Sequence, residues 1–342
     1  MNNQFTITKV KMKTAFQLKT IMFIALSMIS LSLSAQKIGF LLDGYLTDRW
    51  YLDQKLFTNR ITELGGEPLV ETANGDTLEQ LRLGKKLIAA GVKVLAIVPT
   101  DAKQAAKIVA LAKAANIPVV AYDRLILSND LSLYVSYNNE KVGSLQAEYA
   151  LNHMPKGNYV LLNGPVSDNN AMQFSRGQRK ILEPHIKNGK IKIIGDFVMN
   201  DWGELSAMMK IDEFITSSKD KLNVIIAAND ALASGAIQSL PKELLGKVII
   251  TGQDADLTAI KSIISGEQSM TVYKPIKPLA QMAAEMAMKL AKGELIKNTS
   301  ILQSGGVSVK AILLDPIVVD KLNYKDTVVK DGHVSLSQII NK

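Results

Sequence analysis

Apolar runs that each stop on a charged or hydrogen-bonding residue recur along this chain. Residues 37–43 (KIGFLLD) stop at Asp43, 92–100 at Thr100, and 117–124 at Asp123 and Arg124. Further on, 222–230 stop at Asn229 and Asp230, 247–256 reach Asp254, and 270–274 end on Lys274. Unbroken Val/Ile/Leu runs of this length predict strands covered on both faces, as in parallel sheets flanked by helices. Helical stretches lie between them. A helix over 50–64 places Trp50, Phe57, Ile61 and Leu64 on one side and stops at Gly65-Gly66. One over 77–90 opens with a capping-box pair, Thr77 and Gln80. Others are predicted over 102–115, 141–152, 170–183, 204–216, 231–240, 257–265 and 278–292. Strands alternating with helices predict a doubly wound α/β fold. The pattern runs twice, over 37–138 and 159–274, with about five strands in each half, a natural domain size. Short strands over 307–314 and 317–319 complete the chain. No low-complexity linker separates the halves, so 137–140 is a hinge candidate and closure of two lobes around a ligand is expected.

The first segment reads differently. Lys9, Lys11, Lys13 and Lys19 precede an apolar stretch over 21–33, and Ser34-Ala35 supplies small residues for cleavage. This is the tripartite pattern of a secretory signal peptide over 1–35, and the stretch is short for a membrane anchor. Its removal takes away four lysines and no acidic residue, so the formal charge falls from +8 to +4. That mild surplus has no aromatic interleaving and gives nucleic acid little to hold. The chain has no cysteine, which excludes disulfides, thiolate catalysis and zinc-thiolate sites. No cofactor is expected.

Residues just past the carboxyl ends of the strands gather along one sheet edge, where open α/β sheets bind ligands. The inventory there is rich in hydrogen-bonding groups and poor in nucleophiles. Asp123 beside Arg124 offers an acceptor next to a five-donor fork, suited to vicinal hydroxyls. Asn169, Asn170, Asn229, Asp230 and Asp254 extend the set. Trp50 and Trp202, the only tryptophans, fall near strand–helix junctions, where an indole either covers the C–H face of a sugar ring or anchors its helix. Asp254-Ala255-Asp256 has no histidine nearby and reads as an acceptor or cap rather than a metal site. His153, His185 and His333 are scattered and expected at the surface. Nucleotide-loop, serine-hydrolase and zinc-protease motifs are absent. A glycosidase pair of Asp123 and Asp254 is disfavoured, because an adjacent arginine keeps Asp123 ionised.

Several segments together resemble the D-xylose-binding branch of the type I periplasmic sugar-binding protein family. They are Asp48-Arg49-Trp50, Ala73-Asn74-Gly75, Ala121-Tyr122-Asp123-Arg124, the run over 138–143, Asp168-Asn169-Asn170-Ala171, Asn229-Asp230, Gly252-Gln253-Asp254-Ala255-Asp256 and the run over 270–275. The resemblance implies two hinged Rossmann-like lobes: 36–138 with about 275–306, and 139–274 with about 307–342. It implies sugar bound in the cleft and handed to the permease of an ABC importer, in a monomeric periplasmic protein without enzymatic activity. Arg49, Trp50, Asp123 and Arg124 would face the sugar from the first lobe. Asn169, Asn170, Trp202, Asn229, Asp254 and Lys274 would face it from the second lobe or hinge, and Asp43 stands where the family also has an acidic residue. The rival readings are a sensor that presents sugar to a membrane kinase or chemoreceptor, and a carbohydrate-active enzyme. A LacI-type repressor would need a helix-turn-helix where residues 1–36 are apolar.

Overall fold

The computed structural model describes residues 35–45 and 49–340; the expected signal peptide lies, apart from Ala35, outside them. The strands are β1 (Gln36–Leu42), β2 (Gly66–Thr72), β3 (Val94–Ile97), β4 (Val119–Tyr122), β5 (Leu133–Tyr137), β6 (Gly157–Asn163), β7 (Ile191–Val198), β8 (Val224–Ala227), β9 (Ile249–Thr251), β10 (Met270–Tyr273), β11 (Ser300–Ser304), β12 (Val307–Leu314) and β13 (Ile317–Asp320). The helices are α1 (Arg49–Glu63), α2 (Thr77–Ala89), α3 (Ala106–Ala114), α4 (Asn139–His153), α5 (Asn169–Lys187), α6 (Glu204–Ser217), α7 (Asp230–Ser239), α8 (Leu257–Ser265), α9 (Ile276–Ala291) and α10 (Leu336–Ile340).

One sheet has the order β11-β12-β5-β4-β3-β1-β2 and a second the order β7-β6-β8-β9. From β1 to β12 the first sheet pairs in parallel, and β11 is antiparallel to β12; the second is parallel throughout. Both halves repeat the order second-first-third-fourth, which puts a topological switch point beside β1 and beside β6. Covered strands alternate their side chains between two cores. Val94 and Ala96 join Phe40, Phe57 and Tyr122 under α1 and α9, while Leu95 and Ile97 join Leu83 and Leu87 under α2. The antiparallel ribbon β10–β13 joins the end of β9 through a parallel bridge of Gln253 with Val272.

Three connections join the lobes: β5 to α4, β10 to α9, and β12 to β13. Tyr137 Oη donates to the Pro275 carbonyl at 2.6 Å, tying two of them together. Over the second sheet, α4 and α5 come into backbone contact because both carry glycine at the crossing. A Cβ on Gly143 would lie 1.9 Å from the Phe174 carbonyl oxygen, and one on Gly177 1.9 Å from that of Glu140.

The C-terminal tail corrects the sequence reading. Val307–Leu314, assigned there to the second lobe, pairs in parallel with β5 and extends the first sheet. Only from β13 onward does the tail join the second lobe. An apolar strand pattern fits any open sheet edge, so its destination is set by the hairpin with β11, not by its own residues. The helix expected over 102–115 starts late, at Ala106: the Asp101 carboxylate accepts from the Lys103 and Gln104 amides and holds a turn there.

Candidate functional site

The strand ends of the two sheets enclose a cavity of about 570 Å³. Asp43 follows β1, Arg49 and Trp50 open α1, and Asp123 and Arg124 follow β4. From the other lobe come Asn170 in the first turn of α5, Trp202 ahead of α6, Asn229 at the N-cap of α7, Asp254 after β9 and Lys274 after β10. All of these line the cavity.

Asn169 does not. Its Oδ1 accepts from Gln173 Nε2 at 2.8 Å and from Ser304 Oγ at 2.9 Å. Successive residues of a helical turn point about 100° apart, so Asn169 and Asn170 cannot both face the cleft. The sequence reading missed Asp168, Phe174 and Gln253 in the lining. Asp168 was legible as the N-cap of a helix that opens on the cleft; its Oδ1 accepts from the Asn170 amide at 2.9 Å.

Adjacent in sequence, Asp123 and Arg124 do not pair with each other. Asp123 has a left-handed backbone, φ +60°, and the turn sends the two side chains to different partners. Arg124 reaches Asp43 Oδ2 at 2.7 Å and Asp168 Oδ2 at 2.9 Å. Asp123 Oδ2 meets Arg49 Nη2 at 3.0 Å and Lys274 Nζ at 3.7 Å. Arg49 extends from the first lobe to Asp254 of the second, Nη1 to Oδ1 at 3.4 Å. Arg49–Asp254 and Arg124–Asp168 therefore both cross between lobes.

Burial alone would raise the Asp123 carboxyl, but Arg49, Lys274 and Arg124 outweigh it and hold it at about 2. At Asp168 burial prevails over Arg124, and the carboxyl is raised. The guanidinium of Arg124 stays charged, because Asp168 and Asp43 outweigh its burial. The lining carries the carboxylates of Asp43, Asp123, Asp168, Asp201, Glu204 and Asp254 against the cations Arg49, Arg124 and Lys274. Such a surplus of acceptors suits a neutral, hydroxyl-rich ligand and repels an anion.

The indoles form two walls. Trp50 is buried in the core of the first lobe, and the guanidinium carbons of Arg49 and Arg124 lie 4.5 and 5.4 Å from its ring centroid. Trp202 donates from Nε1 to Asp168 Oδ2 at 3.2 Å and packs edge-on against Phe174. It can lie there only because Gly164 has no side chain; a Cβ would sit 2.1 Å from an indole carbon. Asn229 fixes the Trp202 loop, donating from Nδ2 to the Trp202 carbonyl at 3.3 Å while Oδ1 caps Leu232 N at 2.9 Å.

Asp254 sits on a strained turn, with φ +108° followed by +58° at Ala255. The turn is over-determined: Ala255 N donates to Thr271 Oγ1 at 3.2 Å and Asp256 N to Asp230 Oδ2 at 3.0 Å. Asp230 thus lies below the cavity as a buried support, its carboxyl raised by burial and by Asp256 and Asp254. His333, expected at the surface, is partly buried against Tyr273, with Nε2 3.0 Å from the Ala255 carbonyl oxygen; burial lowers its pKa. Among the described residues no cluster of three or more His, Cys, Asp or Glu is arranged to hold a metal ion.

The periplasmic binding protein domain family model matches residues 38–295. The chain is 45% identical to a D-xylose-binding periplasmic protein of Haemophilus influenzae over 86% of this chain and 90% of that one. It is 42% identical to a protein of the same name from Escherichia coli, over 89% and 92% respectively. Its fold is similar to a carbohydrate transporter solute-binding protein from Chloroflexus aurantiacus, solved in complex with D-glucose: the TM-score is 0.82 and the identity 28%, over 89% of this chain and 98% of that one.

Proposed function

The chain belongs to the periplasmic binding protein family, whose members bind rather than transform, and from that premise we propose that it is the extracytoplasmic receptor of an ABC importer for a monosaccharide, D-xylose foremost. The observation that carries this reading is the convergence, from both lobes, of the anticipated side chains other than Asn169 and Asp230 on one acidic, indole-walled cavity. The xylose-binding names of the two relatives point to the pentose. The lysine-led apolar stretch over 21–33 supports export to the periplasm, and the family supports a membrane permease as the partner.

Binding follows from the geometry. A pyranose between Trp50 and Trp202 presents its C–H faces to the indoles and its hydroxyls to the rim. Arg49, Arg124 and Lys274 donate; Asp123, Asp254 and Asp168 accept; Asn170 and Asn229 do either. Each hydrogen bond to a charged partner contributes about 1.5–3 kcal/mol. The cross-lobe pairs Arg49–Asp254 and Arg124–Asp168 place donor and acceptor on opposite lobes, so a sugar bridging them favours closure about the three connections. An analogue lacking a hydroxyl leaves a buried partner unsatisfied and is rejected. A hexose carries an extra hydroxymethyl that a closed pocket around a pentose excludes by volume.

Isothermal calorimetry of residues 36–342 against D-xylose, with D-ribose, L-arabinose and D-glucose in parallel, tests the proposal. One-to-one binding of xylose that is lost in Arg124→Ala is expected. Heat from a different sugar alone would change the ligand assignment, and silence with all four would sink the receptor reading.

A further inference from the structure

A carboxylate outside the cavity has an unusual claim on one of its cations. Asp53, one helical turn along α1 from Arg49, is fully buried and does not line the cavity. Its oxygens face Arg49 Nε at 3.2 Å and Nη2 at 3.4 Å, along the inner edge of the guanidinium. Tyr122 Oη donates to Asp53 Oδ1 from the end of β4. The Tyr122 ring is itself held edge-on by Phe40, 5.3 Å between centroids, and by Phe57, 6.2 Å. The outer edge of the same guanidinium carries the two contacts that matter in the cleft: Nη2 to Asp123 and Nη1 to Asp254, one from each lobe.

We propose that Asp53, fixed by Tyr122, is the positioning residue for Arg49, aiming its guanidinium across the cleft at the place where the lobes meet over the ligand. The inference rests on reading that cleft as the sugar site. A guanidinium on a flexible stem finds several carboxylates within reach here. Only a rigid acceptor along its Nε edge selects the orientation that leaves Nη1 and the second N–H of Nη2 facing the cavity. The aromatic box supplies the rigidity, since side chains packed in a core do not swing. Burial raises the Asp53 carboxyl, and Arg49 and Tyr122 offset this only in part.

A purely structural ion pair would stabilise the helix whether or not Arg49 met a ligand, and a double-mutant cycle separates the two roles. Asp53→Asn is expected to weaken D-xylose binding about tenfold, chiefly through faster dissociation, within the range of coupled neighbours. In an Arg49→Ala background the same substitution is expected to change affinity less than about twofold, because the group it positions is gone. Tyr122→Phe, which keeps the ring and removes only the hydroxyl, should give a smaller loss of about threefold. The Arg49 Nε–H resonance, assigned by its disappearance in Arg49→Lys, should be protected from exchange in the native protein and lose that protection in Asp53→Asn. Equal fold-losses from Asp53→Asn in both backgrounds would overturn the proposal. So would native affinity in Asp53→Asn, or an Nε–H signal indifferent to it. Should the native protein bind no sugar, the receptor reading fails by itself, and the Nε–H signal still decides whether Asp53 orients Arg49.

Discussion

Replacing Asp123 by asparagine removes the charge at the centre of the site while leaving its shape. The residue is 2% exposed and has φ +60°, a region asparagine visits readily and alanine does not. Asp123→Asn therefore isolates electrostatics from backbone strain. The carboxyl sits at about 2 against an ordinary 3.8. At about 1.4 kcal/mol per pKa unit the difference is on the order of 2 kcal/mol. Lys274, with its side chain 3% exposed and its Nζ 3.7 Å away, loses its buried counter-charge. That loss is the same attraction that already holds the Asp123 carboxyl low, so the expected total at neutral pH stays at about 2 kcal/mol. Because the folded value lies below the unfolded one, the ionic part is fully present above pH 3.8 and is lost as pH falls through about 2. Urea unfolding followed by circular dichroism should show a gap between native protein and variant of about 2 kcal/mol at pH 7, narrowing between about pH 4 and pH 2. Equal stability at pH 7, or a gap of constant size down to pH 2, would refute the reasoning that Arg49 and Lys274 hold this carboxylate ionised.

Two further substitutions test the walls of the cavity. Gly164→Ala forces a Cβ to within 2.1–2.5 Å of three Trp202 ring atoms, and relief requires moving the indole. Calorimetry should report about a tenfold loss of affinity with an altered tryptophan emission spectrum, at a stability cost of about 1–3 kcal/mol; unchanged affinity would deny Trp202 a place in the binding wall. Asn169→Ala, by contrast, removes bonds to Gln173 and Ser304 outside the cavity. Titration should give an affinity within about twofold of native and a stability loss of about 1 kcal/mol, and a loss of binding would return Asn169 to the ligand.

The sequence by itself determined the parts of this protein that depend on local periodicity. A covered strand announces itself by an unbroken apolar run, and the residue that ends the run lies at the carboxyl edge of its sheet. For that reason Asp43, Asp123, Arg124, Asn229, Asp254 and Lys274 could be named as cleft residues before any contact was known. The doubly wound α/β class is legible for the same reason, since the alternation of strands and helices is written in consecutive residues. Only the tertiary structure decided who meets whom. Arg124 pairs with Asp43 and Asp168 instead of neighbouring Asp123 because one left-handed residue redirects the chain. Asn169 turns to Ser304 because a helical step rotates it away from Asn170. The strand over 307–314 joins the first sheet, His333 braces the Asp254 turn, and Asp53 meets Tyr122 of another element. Each of these contacts joins residues whose separation along the chain carries no periodic signal, so nothing short of the folded arrangement of both lobes specifies it.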